Sequence, residues 1–300
     1  MTHPAGSRPV IAAIDGSDSS LRAARLAAEE ARLRGAPLEL VTASPWPWLG
    51  VMVPPHAGDD LSSTLLRSAE SVLEAAAAEM APLAGARPVT WSIIERPAVE
   101  ALRDASARAQ LLVLGSRGTG GVTGLLVGST AAAVVAAAGC PVLVLPDETA
   151  VTVSRRRSVV VGVEGRSGDE DVLAVAFDEA AARETDLIAV HAWQDLRLEA
   201  SFQVVSPLVD WAGVRADEER VLAEALAGWQ DKQPDVVVRE VVVREKTAHG
   251  LLAAALTAEL LVVGHRRRNR LATLGSTAHG VLHRATSPLL VVPVGAEAEQ

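Results

Sequence analysis

Short runs rich in β-branched and other apolar residues alternate along the chain with longer stretches in which apolar residues return every three or four positions. Val10–Asp15, Leu38–Ala43, Val89–Ile94, Leu111–Gly115 and Val142–Pro146 are of the first kind. Between them, Ser19–Arg34, Leu61–Met80, Ala98–Arg108 and Gly128–Ala138 have helical spacing. In the first of these, Leu21, Ala24, Ala28 and Ala31 share a face, and Gly35 follows the end. The pattern predicts strands and helices in alternation, βαβαβαβαβ. Strands with no polar face suit a parallel sheet covered on both sides. One Pro- and Trp-rich loop, Ser44 to Gly58, breaks the rhythm.

The whole pattern then occurs again. Val10-Ile11-Ala12-Ala13-Ile14-Asp15-Gly16 aligns with Val159-Val160-Val161-Gly162-Val163-Glu164-Gly165, 149 positions later. Val41-Thr42-Ala43 and Val190-His191-Ala192 keep that offset, as do Leu111–Gly115 and Leu260–Gly264. Past Gly264 the offset falls to 147, where Gly275-Ser276-Thr277 answers Gly128-Ser129-Thr130. The second copy has therefore lost two residues between Gly264 and Gly275. A near-constant offset over several blocks marks a tandem repeat. The expected domains are 1–147 and 157–300, joined by a linker from Asp147 to Arg157.

Composition narrows the classes. Hydrophobic residues make up 49% of the 300 and charged residues 22%, the balance of a folded globular chain. Six Trp, two Phe and no Tyr leave the core to Ala, Val and Leu. A net charge of −9 argues against general nucleic-acid binding, which draws its affinity from neutralised phosphates. A single cysteine, Cys140, excludes an intramolecular disulfide. Residues Met1–Val10 show no apolar leader core, so the cytoplasm is the expected compartment. The uncharged stretch Gly118–Pro146 is long enough for a membrane span, but its glycines and Pro141 fit a loop, a buried helix and a buried strand better.

The chemical signal lies in Gly115-Ser116-Arg117-Gly118, nine further residues, and Gly128-Ser129. It opens after a strand and closes on a helix. Glycines let the backbone turn tightly and present N–H groups, and a helix N-terminus at Ser129 and Thr130 adds donors and a favourable dipole. Such a loop cradles phosphate without a lysine; Arg117 either adds charge or faces solvent. It is neither a dinucleotide fingerprint, since position 123 is Thr123, nor a P-loop, since no Gly-Lys-Ser/Thr follows. Asp15 ends the first strand. In a sheet ordered 3-2-1-4-5 it meets Gly115 at the switch point, where ligands bind. There it accepts hydrogen bonds from a nucleoside, caps the following helix, or does both.

These motifs, with Cys140-Pro141-Val142-Leu143-Val144 and Val190-His191-Ala192-Trp193, resemble the universal stress protein family in its tandem form, over nearly the whole chain. The resemblance implies two doubly wound α/β domains of order 3-2-1-4-5, Rossmann-like and akin to the adenine nucleotide alpha hydrolases. It implies ATP, with Mg2+ carried through the phosphates. Ala13, Asp15 and Val41 would flank the nucleoside; Gly115, Arg117, Gly118, Gly128, Ser129 and Thr130 would hold ribose and phosphates. It also implies a regulator in stress tolerance or dormancy, a homodimer, and a regulatory protein partner of unknown identity, with no nucleic acid and no membrane. Alternatives are a slow ATPase or autokinase, or an interaction module whose site has decayed. No carboxylate set beyond Asp15 is evident, so turnover well below the usual ~1–1000 per second is expected.

The second copy departs from the pattern. Glu164, Val190, Gly264, Gly275 and Ser276 stand at the matching positions, but the second glycine is Arg267 in an arginine-rich loop, His265 to Arg270. One extra methylene on Glu164 is expected to push its carboxylate into the nucleoside space. His191 lies at a strand end near this second crevice. His279 and His283 have the i, i+4 spacing of a zinc-binding pair; without a Glu after the first, the metalloprotease motif is missing and they read as a helix-surface pair.

Overall fold

The computed structural model of the chain describes residues 8–44, 58–118, 127–146, 158–193, 210–266 and 273–295. The Pro/Trp-rich loop at 45–57, the linker at 147–157, most of the nine-residue spacer (119–126) and the arginines at 267, 268 and 270 lie outside them. Two compact units divide the chain between its fifth and sixth strands.

The first unit runs β1 (Val10–Ala13), α1 (Asp18–Leu33), β2 (Leu38–Ala43), α2 (Gly58–Met80), β3 (Val89–Ile94), α3 (Ala98–Ser106), β4 (Leu111–Gly115), α4 (Ser129–Ala137) and β5 (Val142–Leu145). All its strand pairs are parallel: β1 with β2 and β4, β2 with β3, and β4 with β5. The order is 3-2-1-4-5, as the resemblance implied. α1 packs with α2, and α3 with α4. This is what winding in opposite directions from β1 and from β4 requires.

Alanine makes this packing close. The buried side of α1 is Ala23, Ala24, Ala27, Ala28 and Ala31, all fully enclosed. Leu21 sits half-buried at its rim instead of within the stripe. The helix stops where Gly35 takes φ 58°, a left-handed conformation open to glycine at little cost. The uncharged stretch near residue 130 resolves into α4, nine residues long, and β5. Among the described residues no helix is long and apolar enough to cross a membrane.

The second unit repeats the plan: β6 (Ser158–Gly162), α5 (Asp169–Ala182), β7 (Asp186–Ala192), α6 (Trp211–Leu226), the short α7 (Trp229–Lys232), β8 (Val238–Val243), α8 (Thr247–Ala254), β9 (Leu260–Arg266), α9 (Ser276–Leu282) and β10 (Leu289–Val294). Its strands pair in the same order, β8-β7-β6-β9-β10. One difference bears on function. β4 ends its pairing at Gly115, opposite Leu145. β9 continues two residues past the matching Gly264, setting His265 opposite Pro293 and Arg266 opposite Val294.

Candidate functional site

At the carboxyl ends of β1, β2 and β4 lies a cavity of about 420 Å³. Ala13, Asp15, Val41, Gly115, Arg117, Gly118, Gly128, Ser129 and Thr130 all line it, so one crevice gathers every first-domain residue singled out from the sequence. Ala43, Ala98, Leu102 and Leu114 extend it as an apolar wall, and Ser116 joins its polar end. No motif pointed to Ala98 and Leu102, because they come from α3, whose approach depends on the crossover over β1.

Asp15 is held by a short relay. Its Oδ1 accepts from the Ser17 amide (3.0 Å) and the Ser17 hydroxyl (2.6 Å). Ser17 Oγ in turn accepts from the Ser20 amide (3.2 Å) and is the N-cap of α1. The helix is thus capped by Ser17, with Asp15 orienting the cap, where the sequence had offered Asp15 itself. The second carboxylate oxygen lies against Gly118: a Cβ built there would overlap Asp15 Oδ2. Gly115 is equally tight, since a Cβ would come within 2.5 Å of Ser19 Oγ and 2.9 Å of the Ser19 backbone. Neither glycine has a positive φ. Close approach, and not left-handed turning, is what requires glycine at both positions.

The polar end of the cavity is built largely from backbone. Gly128 is the N-cap of α4, with φ −72° and ψ 153°, and no side chain caps the helix. Its own N–H donates to the Ser116 carbonyl at 2.7 Å. The first-turn amides of Ser129, Thr130 and Ala131, which no helical carbonyl can satisfy, therefore remain for a ligand at the cavity wall. The first turn carries no acidic residue that would repel an anion. Ser116 is 1% exposed, and its hydroxyl has no partner among the described residues. A buried polar group left unpaired calls for a partner, and a ligand in this crevice would supply one. Asp15 is the one carboxylate among the described lining residues.

The second unit treats the same positions differently. Glu164 reaches two arginines. Its Oε2 lies 3.4 Å from Arg166 Nε and 3.9 Å from Arg266 Nη2. Arg266 also donates to the Ser167 carbonyl at 2.7 Å. The amides of Glu164, Gly165 and Arg166 all donate to Asp169 Oδ2, at 3.0, 2.6 and 3.1 Å. Burial pushes the Asp169 carboxyl up despite these three donors. Charge and donors at this strand end are thus spent within the protein. Gly264 still fits closely, 2.9 Å from Val172 Cγ2 by its would-be Cβ, whereas Gly275 has open space around it. Val190 is buried on β7, and Ser276 opens α9.

His191 faces away from this crevice. Its Nδ1 lies 2.9 Å from the Val163 carbonyl and its Nε2 2.7 Å from Glu218 Oε2 on α6. In the first unit Thr42 makes the matching bond, donating to the Ile14 carbonyl at 2.8 Å. Val41 lines the cavity and successive strand residues point to opposite faces, so the α2/α6 side is where Thr42 and His191 belong. Elsewhere, the His279 and His283 rings stand with centroids 4.5 Å apart, and burial together with His279 pushes the His283 imidazole down. Burial pushes the Cys140 thiol up to about 12, which leaves it unreactive.

Comparison with known proteins agrees with this architecture. The model of the universal stress protein family matches residues 6–146 and again residues 155–293. Universal stress protein Rv2623 of Mycobacterium tuberculosis (strain H37Rv) is 38% identical over 291 residues, covering 94% of this chain and 95% of its own. Universal stress protein Rv2005c of the same strain is 35% identical over 300 residues, covering 97% and 99%. Among solved structures, a universal stress protein from Archaeoglobus fulgidus shares the fold at a TM-score of 0.66, with 20% identity over 97% of each chain. With a family match in each half and relatives of this identity along its length, the chain belongs to the universal stress protein family in a tandem, two-domain form.

Proposed function

We propose that the first domain binds ATP and that the chain is a nucleotide-dependent regulator in stress response or dormancy. The observation that carries this reading is the single crevice in which Asp15, the tight Gly115 and Gly118, and the uncapped start of α4 come together. The apolar wall of Val41, Ala43, Ala98 and Leu102 suits a flat base. Asp15, whose Oδ2 lies beside Gly118, would accept from a ribose hydroxyl. Ser129, Thr130 and Ala131 supply amides to phosphate, and Ser116 a buried hydroxyl. Mg2+ would enter with the phosphates, since Asp15 is the one described carboxylate at hand and it is already bound by Ser17.

Binding without fast turnover follows from the same inventory. Phosphoryl transfer needs a positioned base and carboxylates for the metal, in addition to charge stabilisation. The lining supports binding better than either an ATPase or an autokinase. Isothermal calorimetry with the full chain is expected to give one ATP per chain. Two equivalent sites, no binding, or hydrolysis above ~1 per second that depends on Asp15 would overturn the reading.

A further inference from the structure

We infer that His279 and His283 form a two-imidazole chelate for a divalent transition-metal ion that takes nitrogen ligands at right angles, Cu2+ ahead of Ni2+ and both ahead of Zn2+. The pair lies outside the nucleotide crevice, and the inference does not depend on ATP binding.

The i, i+4 spacing puts both side chains on one face of α9. Their ring centroids are 4.5 Å apart and their planes are inclined by 58°. An imidazole nitrogen ligates along the line from the ring centre, so a metal–nitrogen bond of ~2.0–2.1 Å plus a ring radius of ~1.1 Å sets the ion ~3.2 Å from each centre. With one nitrogen of each ring turned to a shared ion, two centres at the observed separation subtend about 90° at it, whereas a tetrahedral angle would need them ~5.2 Å apart. Right-angle nitrogen pairs belong to tetragonal Cu2+ and to square-planar or octahedral Ni2+, and the Irving–Williams order places Cu2+ first.

The surroundings suit an exchangeable ion. His279 is exposed and His283 half-buried, so water can complete the coordination. No third His, Cys, Asp or Glu joins them among the described residues, which sets this apart from a closed structural zinc site. His279 stands in the last turn of α9 and His283 is its C-cap. The carbonyl end of a helix favours positive charge.

The test uses the full, untagged chain carrying His3→Ala, so that this histidine adds no copper ligand of its own. Cu2+ is titrated by calorimetry, and the complex is examined by electron paramagnetic resonance. One Cu2+ per chain with an axial, nitrogen-coupled spectrum is expected. Affinity should fall by about tenfold or more in His279→Gln and in His283→Gln, and Zn2+ should bind more weakly than Cu2+. The His249→Gln control should bind as before. His279 is exposed, so its replacement leaves the fold intact and circular dichroism checks this. Unchanged Cu2+ binding in His279→Gln, absence of binding, or Zn2+ tighter than Cu2+ would each overturn the proposal.

Discussion

Two glycines three positions apart have separable duties. A methyl at Gly115 meets the Ser19 backbone, which cannot rotate away, so Gly115→Ala should lower stability by about 1–3 kcal/mol, read as the shift of a urea unfolding midpoint. Among the described residues, a methyl at Gly118 meets only the Asp15 carboxylate. Gly118→Ala should therefore unfold much as the parent chain does while ATP binding is lost in calorimetry, because Asp15 would be displaced from the position proposed for the ribose. A variant that binds normally would show that Gly118 does not set the position of Asp15. The glycine spacing was readable in the sequence. The reason for it was not: the atoms that forbid a side chain, on Ser19 and Asp15, lie about a hundred positions away.

At the scale of elements, the start of α4 and the seat of α6 make the contrast between the halves. α4 begins at an uncapped Gly128. Gly128→Ser would place an oxygen where it can accept from the first-turn amides, as Ser17 does for α1. The expected result is a helix stabilised by a few tenths of a kcal/mol and weaker ATP binding, since the cap and the phosphate compete for the same donors. In the second half, α6 is secured to β7 by His191–Glu218 and by Trp211 stacked on Trp193, centroids 6.3 Å apart. Restoring the first-domain residue with His191→Thr keeps the bond to Val163 but leaves Glu218 without its partner. Unfolding of the second domain should become easier by about 1–3 kcal/mol, with ATP affinity in the first unchanged. The repeat register aligned Thr42 with His191. It did not disclose Glu218, whose counterpart on α2 is Ala69.

For the whole molecule, the two halves share a fold and differ in the contacts at their strand-end crevices. If the second crevice is closed by its own ion pairs and by the continuation of β9, no ATP should remain bound once the first site is lost. Calorimetry on Gly118→Ala should then show no residual ATP site, and adding Glu164→Asp should not create one. A second, weaker isotherm in either variant would show that the second domain also takes nucleotide.

The repeat, the alternation of strands and helices and the glycine motif were all legible in the sequence, while the 3-2-1-4-5 order came with the family resemblance. They are carried by local periodicity, by turn residues and by the chirality of βαβ units, and each of these acts between near neighbours or through general rules of chain winding. Other features were decided only when distant segments met. Asp15 became a brace for the α1 cap and a neighbour of Gly118. Glu164 turned toward Arg166 and Arg266 in place of a ligand. β9 ran past Gly264 because, without a second glycine and with two residues fewer, the chain stays paired to β10 through Arg266. His191 turned its back on the crevice because strand residues alternate between faces and Val190 already occupied the other side. In each case the outcome depends on which atoms come within a few ångströms after folding, and one-dimensional spacing does not record that.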